Sequence, residues 1–255
     1  MFWAASVLKG YSIAATDGDI GEVSDMLFDD VTWKLRWLVA DTGKWLPGRL
    51  VLLHPSVLGL PDANSRSIAV KLTKAKVKDS PNIQQDLPVS RQMEQGVYAY
   101  YGWDPYWGGG AFGMDSLAMP FGSGAGYVNR AIAEQDAALL EPHEGDPHLR
   151  SIGASKGDHI HATDGDIGHI SDFLVDDETW KVSYLVIDTR NWWPGKHVLM
   201  SPAAVAEIDW VTRQFRLNVT RDKVRSSPEY DPSEVVKDLY EESLRKHYDW
   251  PGSGI

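Results

Sequence analysis

Short runs of alternating apolar and polar residues recur along the chain, and they come in two matching sets. In the first set, Tyr11 to Ala15 reads as a strand with Ile13 and Ala15 on one face. Asp17-Gly18-Asp19 is turn chemistry, because Gly accepts positive φ and Asp hydrogen-bonds its own backbone. Glu22 to Asp29 is the return strand of the hairpin, and Asp30 to Trp33 turns the chain again. Leu35 to Asp41 carries apolar residues on both faces and predicts a strand central to the fold. Arg49 to Leu53, a short run at Val57 to Leu60, and Ile68 to Leu72 complete the set. A helix then follows, with Val89, Met93, Val97, Tyr100 and Tyr101 at helical spacing. Five or six short strands followed by a helix predict a small closed β-barrel with one side or mouth covered.

The second set repeats the first at a constant offset of 147 residues. Thr16-Asp17-Gly18-Asp19-Ile20-Gly21 returns as Thr163-Asp164-Gly165-Asp166-Ile167-Gly168. Trp33 aligns with Trp180, Asp41 with Asp188, Pro47-Gly48 with Pro194-Gly195, Ser80-Pro81 with Ser227-Pro228, and Trp103 with Trp250. An ungapped register over that span is the signature of internal duplication. In the second copy Pro232-Ser233 opens the helix, and Val236, Leu239, Tyr240, Leu244 and Tyr248 line its apolar face. The expected architecture is mainly β: two tandem six-stranded barrels, each followed by a C-terminal helix. The domains run 1–103 and 151–255, joined by a Gly-rich linker at 104–150. Gly108-Gly109-Gly110 and Gly122 to Gly126 give that linker its composition, with a short helix expected at Val128 to Leu140.

Charge and composition narrow the function. A net charge of −11 repels phosphate backbones, so nucleic acid is not an expected partner. No apolar run is long enough to span a bilayer, and the first residues do not read as a signal peptide, so membrane insertion is not expected and the cytoplasm is. The absence of cysteine excludes disulfides and thiolate chemistry.

The repeated pattern resembles the PRC-barrel family, named for the cytoplasmic domain of the photosynthetic reaction-centre H subunit. The residues that carry it are Asp17-Gly18-Asp19-Ile20-Gly21-x-Val23, Leu27-x-Asp29, Trp37-Leu38-Val39-x-Asp41, and Pro47-Gly48-Arg49-x-Val51 with Pro55. The second copy supplies Asp164 to Ile170, Leu174-x-Asp176, Tyr184 to Asp188, and Pro194 to Pro202. The resemblance implies a six-stranded barrel and a protein-interaction role without catalysis or cofactor. The partner would be an unidentified protein, with homo-oligomerisation open. A ribosome-assembly or photosynthetic-complex accessory role is a variant of that reading. The chain has neither the H subunit's transmembrane helix nor the additional N-terminal domain of the family's ribosome maturation factor, so neither role transfers directly.

Three groups of residues carry candidate chemistry. Trp45-Leu46-Pro47-Gly48 and Trp192-Trp193-Pro194-Gly195 sit at equivalent turns. Rigid turns presenting Trp45, Pro47, Trp192, Trp193 and Pro194 suit a protein interface, unless the indoles fold back to cap their own barrel or pack on the other one. His159, His161 and His169 occur only in the second copy and are weak metal candidates, with His169 expected to face His161. The aspartates at Asp17, Asp19, Asp29 and Asp30, and their repeats, read as turn residues before they read as calcium ligands. The competing function is a small-ligand or metal binder, or an enzyme, using the cleft between the barrels. No nucleophile elbow, zinc-protease helix or phosphate loop supports catalysis.

Overall fold

A computed structural model describes residues 1–83, 89–103, 105, 145–189, 196–232, 236 and 238–250. In the first copy the strands are β1 (Phe2–Ala4), β2 (Ser12–Ala15), β3 (Gly18–Asp29), β4 (Leu35–Asp41), β5 (Leu50–Leu53), β6 (Leu58–Asp62) and β7 (Ser67–Val70). The helices are α1 (Ala5–Leu8), α2 (Lys74–Lys78) and α3 (Arg91–Tyr101). The second copy repeats them as β8 (Leu149–Ser151), α4 (Ile152–Ser155), β9 (His159–Ala162), β10 (Gly165–Asp176), β11 (Val182–Asp188), β12 (His197–Met200), β13 (Val205–Asp209), β14 (Gln214–Leu217), α5 (Arg221–Arg225) and α6 (Asp238–Tyr248).

The fold is mainly β, as expected, but it is built from two seven-stranded sheets and the barrels are not closed. Six strands of each sheet follow one path, β5-β4-β3-β2-β7-β6 in the first copy and β12-β11-β10-β9-β14-β13 in the second. Closure would need β5 to pair with β6. The edge of β5 is already occupied at its first residue, where Ile83 N–H donates to Leu50 O at 3.0 Å and Leu50 N–H donates to Asn82 Oδ1 at 3.2 Å. Pro61 also removes a donor from β6. In the second copy Tyr230 N–H covers β12 in the same way, donating to His197 O at 2.9 Å.

The seventh strand of each sheet comes from the other copy. β1 pairs antiparallel with β10, matching Phe2 to Asp176, Trp3 to Val175 and Ala4 to Leu174. β8 pairs with β3, matching Leu149 to Asp29, Arg150 to Phe28 and Ser151 to Leu27. These registers are identical under the 147-residue offset. The anchors are equivalent too. Asp25 Oδ1 accepts Gly153 N–H at 3.0 Å and Asp172 Oδ1 accepts Ser6 N–H at 3.2 Å, each carboxylate capping the short helix of the opposite copy. Asp30 N–H donates to His148 O and Asp177 N–H to Met1 O, both at 3.0 Å. The sequence reading carries the linker to Arg150, whereas Gly145 to Arg150 run along the first copy. The glycine tracts at 108–110 and 122–126, and the helix expected at Val128 to Leu140, lie outside the described residues.

The two copies are thus related by an approximate two-fold axis, and the axis passes between Lys34 and Lys181, which bridge each other. Leu35 N–H donates to Trp180 O and Val182 N–H to Trp33 O, each at 2.8 Å. Trp33 and Trp180 adopt φ of 60° and 51°, a conformation uncommon for bulky residues. Both indoles are buried, and Trp33 stacks on Phe28 at 5.5 Å. Phe28 meets Phe173 of the second copy at 5.7 Å, and one apolar core runs through both copies. A smaller core in the first copy gathers Trp37, Val97, Tyr98 and Tyr101 under α3, and includes Leu149 of the exchanged arm.

Two positions of the Asp-Gly-Asp-Ile-Gly motif have a direct structural explanation. Asp17 Oδ1 accepts Lys74 N–H and Asp164 Oδ1 accepts Arg221 N–H, both at 2.7 Å, fixing the short helix of each copy to the hairpin. Gly21 and Gly168 sit where the backbone crosses the next strand closely. A Cβ there would lie 2.0 Å from the carbonyl oxygen of Asp41 or Asp188, at φ of 136° or 143°.

Candidate functional site

The turn after β4 is the one aromatic-tipped turn of the pair that lies among the described residues; Trp192, Trp193 and Pro194 lie outside them. Thr42 Oγ1 donates to the carbonyls of Leu46 and Arg49, at 2.6 and 3.0 Å, and Trp45 N–H donates to Thr42 O at 3.2 Å. Asp41 Oδ1 accepts Gly43 N–H at 2.8 Å. The base is pinned by a cation, since Arg49 donates to the Ser80 carbonyl. Lys196 does the same in the second copy, with Nζ 2.5 Å from Ser227 O. That contact accounts for the repeated Pro-Gly-cation and Ser-Pro motifs.

Trp45 is half-buried. One part of its indole packs on the core, and Lys74 Nζ stands 4.8 Å from the ring centre. Pro47 is exposed. Hollows of about 340 and 540 Å³ flank the tip. The first is bordered by Asp19, Glu22, Asp41 and Trp45; the second by Asp41, Lys44, Pro47 and Arg49. The turn is therefore rigid and accessible, with Trp45 partly committed to its own copy.

The histidines are arranged differently from expectation. His169 faces His159 across the β9–β10 ladder, not His161. A register shift between Asp166 and Gly168 moves the pairing, so His161 lies opposite Asp166, with Nδ1 2.5 Å from Oδ1. His169 and His197 flank the buried carboxylate of Asp188 at 3.9 and 3.8 Å. Among the described residues no three His, Asp or Glu side chains are grouped to hold a metal ion.

One cluster escaped the sequence reading. Arg36, on the central strand β4, is buried. Its Nη2 donates to Glu94 on α3 and, at 2.7 Å, to Asp146 ahead of β8, while Asp29 stands 3.6 Å away. Trp37 Nε1–H donates to Glu94, and Arg91 Nη2 reaches Asp146 at 3.0 Å. Burial pushes Glu94 up to about 7; Arg36 and Trp37 oppose the shift and Asp146 adds to it. Burial also works to raise Asp146, but the Arg36 guanidinium and the His148 N–H hold it well below the usual carboxylate range. The signal in the sequence is Arg36 itself, a cation inside Leu35-Arg36-Trp37-Leu38-Val39-Ala40. A strand apolar on both faces leaves such a side chain only a buried partner.

Other repeated aromatics are structural. Trp103 stacks on Tyr101 at 4.2 Å and Trp250 on Tyr248 at 4.5 Å, closing the end of each helix. His54 sits in the Trp37–Tyr98–Trp103 group, where burial lowers its proton affinity.

No family model matches the chain, and no curated protein matches it.

Proposed function

We propose that this chain is a non-catalytic protein-interaction module of the PRC-barrel type, in which two copies are locked into one unit. The partner is a protein, bound at the Trp45–Gly48 turn and at its equivalent, Trp192 to Gly195. The observation that carries the reading is the turn in the first copy. Its backbone is pinned by Thr42, Asp41 and Arg49, yet it leaves Pro47 exposed at the border of one open hollow, with Trp45 at the border of another. A preorganised aromatic turn loses little conformational entropy on binding. The order of the repeated motifs supports the family assignment.

A small ligand in a cleft between the copies is the less favoured reading, because Trp33, Phe28, Phe173 and Trp180 pack the seam. Assembly of ribosomes or of a photosynthetic complex stays a variant of the interaction reading. In the described residues no helix is long and apolar enough to cross a membrane.

The test is differential capture. Wild-type chain and the Trp45→Ala, Trp192→Ala double variant are used as bait in extracts of the native organism. The reading expects a protein retained by wild type and lost by the variant, whose circular dichroism spectrum is unchanged. Equal capture by both would move the interface elsewhere.

A further inference from the structure

We propose that Arg36, Glu94 and Asp146 form a proton-operated latch on the exchanged arm, so that release of a proton from Glu94 loosens Leu149–Ser151 from the first sheet. The inference stands on where the three residues sit. Arg36 is in the central strand, Glu94 in the helix over it, and Asp146 in the segment that delivers β8. Ser90 bridges Gly145, and Asp146 N–H donates to Val89 O at 3.2 Å, so the same segment is tied to the start of α3. Lifting the arm therefore takes Asp146 away from Arg36 and opens the helix N-terminus to water.

Among the described residues the charged and titratable groups facing Glu94 come from four elements. Arg36 lies on β4 and Asp29, through Arg36, on β3; Asp146 lies on the incoming segment; Arg91 and Tyr98 lie on α3 itself. Opening hydrates Glu94 and removes the neighbouring Asp146 carboxylate, and both changes weaken its hold on the proton. The open state therefore binds fewer protons than the closed one, and rising pH favours opening from Glu94's ordinary range near 4.5 up to about 7. Opening would uncover the β3 edge at Leu27–Asp29, an unpaired strand edge of the kind other strands dock on.

The first copy's arm is an internal control. β1 is held by Asp172 and Asp177, and the Glu241 position that matches Glu94 is bonded to Tyr184 within the second copy. Hydrogen exchange of the full chain between pH 5 and 7.5, corrected for intrinsic exchange, reads both arms at once. Protection of amides 149–152 relative to 2–5 should fall about tenfold for each unit by which opening weakens the proton affinity of Glu94. Glu94→Gln, which mimics the protonated acid, should keep the 149–152 arm protected at every pH, and Glu241→Gln should behave as wild type. Parallel behaviour of the two arms, or an unchanged pH response in Glu94→Gln, would overturn the proposal.

Discussion

Glu94 and Glu241 occupy equivalent positions on equivalent helices, and their surroundings differ. Glu94 is sealed at 0% exposure by Arg36, Trp37 and the incoming Asp146. Glu241 accepts the Tyr184 hydroxyl at 2.6 Å, stands 3.5 Å from Arg245, and retains some access to solvent. Ser183 stands where the first copy has Arg36. The same backbone thus tolerates either a buried ion cluster or a tyrosine–carboxylate pair. Neither is demanded by the fold, and what sets them apart begins in the strand beneath, where Arg36-Trp37 corresponds to Ser183-Tyr184.

The largest effect expected from that contrast is at Arg36. Arg36→Met leaves the Glu94 and Asp146 carboxyl groups buried without their shared cation, and should cost about 3–5 kcal/mol in urea unfolding at pH 7. Ser183→Ala, at the matching position, should change stability by less than about 0.5 kcal/mol. Similar losses at both sites would erase the distinction between the copies.

The pH dependence sharpens it. Glu94 is raised in the folded protein, so its contribution is fully present below the unfolded value near 4.5 and is lost as pH rises to about 7. At about 1.4 kcal/mol per unit, the loss amounts to roughly 3–4 kcal/mol. Urea midpoints of Glu94→Gln should lack this component, whereas Glu241→Gln should keep the wild-type profile.

Gly21→Ala and Gly168→Ala test where the copies are the same. Each Cβ meets a backbone oxygen at a left-handed φ, so each should cost about 1–3 kcal/mol or more. Gly96→Ala, with open space and helical geometry, should instead stabilise by about 0.5–1 kcal/mol. Trp45→Ala should cost about 1–2 kcal/mol, because that indole is only partly buried against the core.

Much of this architecture is legible in the sequence, for reasons tied to local chemistry. Leu35 to Asp41 reads as a strand because its apolar run admits little else, and the structure places β4 on the same residues. The hairpin follows from Asp17-Gly18-Asp19. The arms do not announce themselves: Phe2-Trp3-Ala4 and Leu149-Arg150-Ser151 are three-residue strands whose partners lie more than a hundred residues away. Their conserved spacing of 147 residues was available, but Phe2 and Leu149 share only apolar character, and Trp3 and Arg150 share nothing. What unites them is the backbone, with Asp25, Asp30, Asp172 and Asp177 waiting on the opposite copy. The barrel expectation failed for a related reason. Periodicity identifies strands, whereas closure depends on whether Asn82 and Ile83 leave the edge of β5 free.

Crossed arms join the two copies into one unit, and a designed disulfide tests that crossing most directly. The natural chain contains no cysteine, so Trp3→Cys with Val175→Cys introduces the only pair, at positions facing each other across β1 and β10. After oxidation the chain is cut by protease within 106–144 and run on a denaturing, non-reducing gel. Crossed arms predict a single band at the mass of the joined halves, which separates into two on reduction. Two bands before reduction, from protein that remains folded, would show that each arm stays with its own copy.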